Sequence, residues 1–193
     1  WIHAPLAGYG AGVRLFEDGL RTAIASSLLA KRTRQAELAS IAYTAGLLHD
    51  VGKTILSELL EPRLTALIEE LATHSTGDWL AAERTLVGVD HCEVGAMVAD
   101  RFKLPATLRA AIEHHHAPRS APAEHRAIVE IVHVADAICA MMGGSGALDA
   151  LAYRIDPEIL VHLGLDAATF GEVMIESHLE SKVQLEAVAR RGA

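Results

Sequence analysis

The stretch AYTAGLLHDVGK, Ala42 to Lys53, sets a histidine and an aspartate side by side at the end of an apolar run. Leu38, Ile41, Ala42, Ala45 and Leu48 keep the i, i+3, i+4, i+7 spacing of a buried helix face. His49 closes that stripe, so its imidazole points inward, and Asp50 follows at once. Gly52 reads as the helix stop, where a residue free to take positive φ is favoured. A neutral imidazole beside a carboxylate at a buried helix end offers two good ligands to a divalent metal. A plainer use is open at this point: Asp50 orients His49 or caps the next helix, because buried polar groups find partners.

Further residues of the same chemistry recur along the chain. His91 stands in GVDHCEVGA, and His114, His115 and His116 end a helical pattern in AIEHHHAP. Three consecutive histidines span nearly a full turn, so at least one faces inward; the plainer reading is an exposed helix end complementing the dipole. Asp136 lies in IVEIVHVADAICAMM, with Val129 and Val132 at i−7 and i−4 and Cys139 at i+3. That is a core stripe carrying one carboxylate. A buried carboxylate must be protonated, paired or bound to a cation. His49, Asp50, His91, His115, His116 and Asp136 together are nitrogen and oxygen donors on separate helices. Such a set suits Fe, Mn or Zn, and helical bundles build metal sites from facing helices in this way.

The elements that must position these residues are helical. Apolar residues make up 51% of the 193-residue chain and aromatic residues only 4%, a composition that suits an all-α domain with a sizeable core. Helices are expected over about 15–32, 35–49, 54–60, 62–73, 79–87, 91–103, 105–116, 123–142 and 157–163, with a last one ending near Arg190. Asp90 with Glu93 makes a capping box at the start of the His91 helix. Residues 1–13 read as a lead-in loop, 74–78 as a turn, 143–156 as a flexible joint and 157–193 as C-terminal helices of the same single domain. The chain begins at Trp1 without a methionine, the mark expected of a fragment or a trimmed chain.

No apolar run reaches the ~18 residues of a membrane span. The formal net charge is −8 and no basic face is evident, which argues against binding a nucleic-acid backbone. Cys92 and Cys139 sit in helical patterns and read as small apolar residues of a reducing, cytoplasmic compartment.

AGLLHDVGK, GVDHCEVGAMVADRFKLP, AIEHHHAP and IVHVADAI, in this order and spacing, resemble the HD superfamily and, more narrowly, the HDOD domain, the regulatory relative of the HD-GYP phosphodiesterases. The resemblance covers roughly residues 8–190 and implies an all-helical bundle. In enzymatic relatives it implies a metal-dependent phosphodiesterase centre. It matches His49 and Asp50 to the HD pair, adds His91, His115, His116 and Asp136, and aligns Lys53 with a lysine of catalytic relatives.

Two departures stand out. LFEDG occupies the place of a motif like LWRHS, so Asp18 replaces the family's first histidine. An acid there is expected to serve as an oxygen ligand, or as an acceptor for a ligating histidine, and to favour harder ions such as Mn or Mg; its plainer role is that of a first-turn acid. APRSAP follows His116, with no Gly-Tyr-Pro and no glutamate. The resemblance therefore implies a signal-transduction regulatory domain with a non-catalytic metal-type site and a protein partner, and it admits a nucleotide ligand. The alternative is a metal-dependent phosphohydrolase in which Lys53 is catalytic. A purely structural set of polar pairs is the third reading.

Overall fold

The computed structural model describes residues 7–9, 15–73, 79–142 and 155–191. Its regular structure there is entirely helical. The helices are α1 (Leu15–Arg32), α2 (Ala39–Leu48), α3 (Val51–Leu60), α4 (Leu64–Thr73), α5 (Trp79–Val87), α6 (His91–Arg101), α7 (Ala106–His114), α8 (Arg126–Met141), α9 (Pro157–Leu163) and α10 (Ala167–Arg191). Short 3₁₀ turns join several of them. The turn expected at 74–78 and most of the joint expected at 143–156 lie outside the described residues.

Two large apolar clusters divide the described residues, beside a small third one of Ala110, Ala121 and Val129. In the first, α1 and α2 form an antiparallel hairpin whose facing surfaces are small. Ala23, Ala25, Ala42 and Ala45 are fully buried, and Leu47 lies against Gly19 while Thr22 lies against Gly46. Small side chains let the two backbones approach closely. α8 supplies Ile128, Ile131, Val132, Val134 and Ile138 to the same cluster, and α9 and α10 close it with Ile159, Leu163 and Val173. Arg32 at the end of α1 reaches Glu172 at 2.8 Å and Glu176 at 2.6 Å on α10. The second cluster gathers Leu56 and Leu60 of α3, Leu67 of α4, Trp79 and Ala82 of α5, and Val94 of α6.

Tyr9 belongs to that second cluster. Within the expected lead-in loop, Ala7–Tyr9 is a 3₁₀ turn docked on α3, with the Gly8 N–H donating to Ser57 Oγ at 3.0 Å. The chain passes from the first cluster to the second at His49–Asp50, between α2 and α3. His91 opens α6 in the second cluster, and His115 follows α7 in the first. Helix termini therefore meet at the seam, where their end groups need partners. α6 is fixed there by the expected capping box: Asp90 accepts from the Glu93 N–H at 2.8 Å, and Glu93 accepts from the Asp90 N–H at 3.0 Å. α5 stops at Gly88, whose φ is 85°.

Gly52 is not a helix stop. It is the second residue of α3, and its φ is not positive. What demands glycine is proximity: a Cβ there would lie 1.9 Å from the His91 carbonyl oxygen and 2.7 Å from the Gly95 nitrogen. α3 and α6 thus meet backbone to backbone, which draws Asp50 and His91 together.

Gly52→Ala must push α6 away. It is expected to cost at least about 2 kcal/mol, lowering Tm by about 4–8 °C. Gly171→Ala, in α10 where an added Cβ meets nothing within 4 Å, is expected instead to stabilise by about 0.4–1 kcal/mol. Thermal melts of the two variants read both signs.

Candidate metal centre

Three histidines are locked into one tautomer by what their Nδ1 atoms touch. His49 Nδ1 is 2.8 Å from the Gly46 carbonyl, and His115 Nδ1 is 3.0 Å from the Ile112 carbonyl. A carbonyl only accepts, so both Nδ1 atoms carry the proton. His91 Nδ1 donates to Glu83 Oε2 at 2.8 Å. Each ring therefore presents Nε2 to the seam. All three side chains are buried, and His49 Nε2 and His91 Nε2 have no hydrogen-bond partner.

Asp50 is the hub on which these atoms converge. Its Oδ2 is 3.3 Å from His49 Nε2, and its Oδ1 is 3.4 Å from His91 Nε2 and 3.5 Å from His115 Nε2. Asp136 Oδ1 lies 3.4 Å from His49 Nε2. Asp50 is the N-cap of α3 by position, but its side chain makes no capping bond, which removes one of its two plainer roles. Neighbouring donors held 2.0–2.2 Å from one zinc-sized ion stand about 3.0–3.6 Å apart, depending on coordination angle. The measured separations fall in that range and are long for direct hydrogen bonds.

Charge reinforces the geometry. Burial opposes a proton on His49, but the Asp50 carboxylate and then that of Asp136 raise its pKa well above the ordinary value. His115 is lowered by burial and raised more strongly by Cys92 and Asp50, to about 9. Burial raises Asp50, yet Lys53 and then His49 hold it well below the usual carboxylate range. Each shift states the same demand: positive charge among these donors.

Glu83 is the residue that the sequence reading missed. It is wholly buried on α5 and accepts three bonds: the Tyr9 hydroxyl at 2.7 Å, the His91 backbone N–H at 2.8 Å and the His91 ring. A carboxylate behind an imidazole fixes the ring and raises its basicity. The apolar stripe Trp79, Ala82, Leu86 contains Glu83 at i+4, the same signal that exposes Asp136 on α8. Lys53 is buried too, with Nζ 2.7 Å from Asp50 Oδ2 and 5.7 Å from the centre of the Tyr9 ring.

The remaining residues divide. His116 packs at 4.2 Å between ring centres on His115 and 5.1 Å on His91, and burial followed by those neighbours' charge keeps it neutral. His114 turns away to Glu113, 3.4 Å distant. Asp18 is held by Arg21 at 2.9 Å, and neither convergent ligand group includes it; Asp50 also lies outside both groups, but unlike Asp18 its oxygens face His49, His91 and His115 directly. Those groups are His49, His115 and Asp136, and His91, Cys92, His115 and His116; within each, the ligand atoms lie within 4.8 Å of one another. Cys92 therefore stands among the donors, where the sequence suggested only a small apolar filler. His133, also passed over, donates from Nδ1 to the His115 carbonyl at 2.8 Å and steadies that turn.

Fold and site define an all-helical domain in which helix ends bring histidines and carboxylates into a cluster able to hold a metal ion. The family model for the HDOD domain matches residues 11–118, more than half of the chain, and the chain belongs to that family. A crystal structure provisionally described as a signal transduction protein from Marinobacter aquaeolei VT8 aligns with a TM-score of 0.78 at 18% identity over 96% of this chain and 40% of that one. An HDOD domain protein of unknown function from Geobacter sulfurreducens aligns at 0.66 and 25% identity over 88% of this chain and 60% of that one. A provisionally described phosphohydrolase from Shewanella amazonensis SB2B aligns at 0.65 and 21% over 86% and 60%. An uncharacterized protein of Treponema pallidum (strain Nichols) is 28% identical over 131 residues, which span 68% of this chain but only 25% of that protein.

Glu83→Gln keeps the shape of the side chain and removes its charge. Metal affinity is expected to fall about 10–100-fold with the fold retained, as read by calorimetric titration beside circular dichroism.

Proposed function

We propose that the chain is a regulatory signal-transduction domain whose buried centre holds a divalent metal as a structural element, with His49, Asp50, His91, His115, His116 and Asp136 as ligands. The observation that carries this reading is a pair of inward Nε2 atoms, those of His49 and His91, that face Asp50 without hydrogen bonds. A bound ion would supply Lewis acidity and fixed positive charge there. The protein's own groups do the rest. Glu83 and Tyr9 hold His91 in register, the Gly46 and Ile112 carbonyls hold His49 and His115, and Lys53 offsets part of the Asp50 charge. Asp18, a candidate oxygen ligand by sequence, is tied to Arg21 and lies outside both convergent ligand groups.

Burial supports this reading over catalysis. His49, His91 and His115 are each at most 1% exposed, as suits an enclosed structural ion, and the Asp136 side chain is 18% exposed. Lys53 is committed to Asp50. The output is then contact with a protein partner in a signalling pathway, in keeping with the provisional description of the Marinobacter neighbour. No described helix is long and apolar enough to cross a membrane.

A second reading, a metal-dependent phosphohydrolase acting on a nucleotide or cyclic nucleotide, draws on one feature. The two ligand groups share His115, and Asp50 faces histidines of both, an arrangement compatible with a two-metal site. In that case Lys53 would stabilise phosphoryl charge.

Protein purified without chelator is expected to carry Fe, Mn, Mg or Zn by elemental analysis, and to lose thermal stability when the ion is removed. Metal-replete protein is expected to hydrolyse cyclic di-GMP far more slowly than ~1 per second. Metal-free protein with unchanged stability would refute the metal role; turnover at that rate would favour the second reading.

A further inference from the structure

The Cys92 thiol lies in the centre. Its Sγ is 3.8 Å from His115 Nδ1 and 4.0 Å from His115 Nε2, and it closes the convergent group of His91, His115 and His116. The side chain is buried, as are those of His91 and His115. His91 Nε2, in the same group, is a buried donor atom without a hydrogen-bond partner. His91 and Cys92 are the first two residues of α6, fixed by the Asp90 capping box, and a helix N-terminus favours the anionic thiolate.

We propose that Cys92 is a thiolate ligand, so that the His91, His115 and His116 side of the centre is a sulfur-containing site selective for zinc-class ions over Mn and Mg. The proposal rests on the reading that the centre binds metal.

A thiolate sulfur at 2.3 Å and an imidazole nitrogen at 2.0–2.1 Å from one tetrahedral zinc stand about 3.6 Å apart. The observed 4.0 Å from Sγ to the available nitrogen of His115 is within a few tenths of an ångström of that spacing. Thiolate with three imidazoles is a soft, borderline donor set that suits zinc, whereas oxygen donors suit Mn and Mg. The other group, His49, His115 and Asp136, lacks sulfur. One chain thus carries two faces of different hardness that share His115. Cys139 is the internal control: it is equally buried, but it belongs to neither group.

Cobalt(II) reports the difference directly, because tetrahedral cobalt gives visible ligand-field bands and a thiolate ligand adds a near-ultraviolet charge-transfer band. The whole chain, stripped with chelator and reloaded with Co(II), is expected to show both. Cys92→Ser is expected to lose the near-ultraviolet band while Cys139→Ser keeps it. Zinc affinity of Cys92→Ser is expected to fall at least as far as the about 10–100-fold lost with an outer partner, with Mn affinity unchanged. Visible bands without the near-ultraviolet band in the unmodified chain would overturn the Cys92 assignment and leave the metal reading standing. A near-ultraviolet band that survives Cys92→Ser would overturn it as well. Absence of any cobalt bands would remove the metal reading, and this assignment with it. Absence of the near-ultraviolet band in the unmodified chain is decisive without any variant, and its presence is assigned to a residue by comparing Cys92→Ser with Cys139→Ser, each checked for folding by circular dichroism.

Discussion

Unshared electron pairs face one another across a buried seam, and much of the site's architecture follows from that. His49 and His115 give their only ring protons, in the neutral form, to main-chain carbonyls, and His91 gives its proton to Glu83. Their Nε2 atoms then meet Asp50 at 3.3–3.5 Å as acceptor against acceptor. Such a face is stable only with positive charge in it, either a second proton on the rings or a metal ion. At an effective dielectric of 20, a unit cation about 3.4 Å from a carboxylate gains about 5 kcal/mol, comparable with the whole net stability of a small domain. The Lys53 ammonium alone does not balance Asp50, Asp136 and Glu83. The raised pKa values of His49 and His115 express the same shortage of positive charge.

The helices are arranged to hold that face shut. Alanines bring α1 and α2 together, and the α1–α2–α8 cluster carries His49 and Asp136. The α3–α6 cluster carries His91 and its brace Glu83. Gly52 sets the distance between the two sets of donors, because any side chain on it would displace the His91 carbonyl. Tyr9, from a segment far from α5 in sequence, completes the hydrogen bonding of Glu83. A polar centre at the joint of two apolar clusters couples their packing, so a change in the charge it holds is felt by both.

Much of this was legible in the chain. His49 and Asp136 stood out because each falls on an apolar stripe at helical spacing, and a charged or titratable group there must have a partner. The capping box at Asp90 and the bounds of α1, α5 and α9 were readable from local rules alone. Glu83 was missed although it obeys the Asp136 rule: with Arg84 beside it, it passes for an ordinary surface acid, and its partner His91 lies beyond the Gly88 turn. Gly52 was misread because its role is set by another helix, and nothing local distinguishes a close approach from a helix stop. Cys92 read as apolar for the same reason, since only the fold brings His115 to its sulfur. Tyr9 sits in a Gly-rich stretch with no periodicity, and its place depends wholly on tertiary contact.

Nitrogen-15 NMR of the histidine rings, with and without chelator, tests the central claim most directly. The account predicts His49, His91 and His115 protonated at Nδ1 in the metal-loaded protein, with Nε2 resonances displaced by the ion and shifting when it is removed. Rings protonated on both nitrogens at neutral pH, with spectra indifferent to metal and chelator, would contradict it.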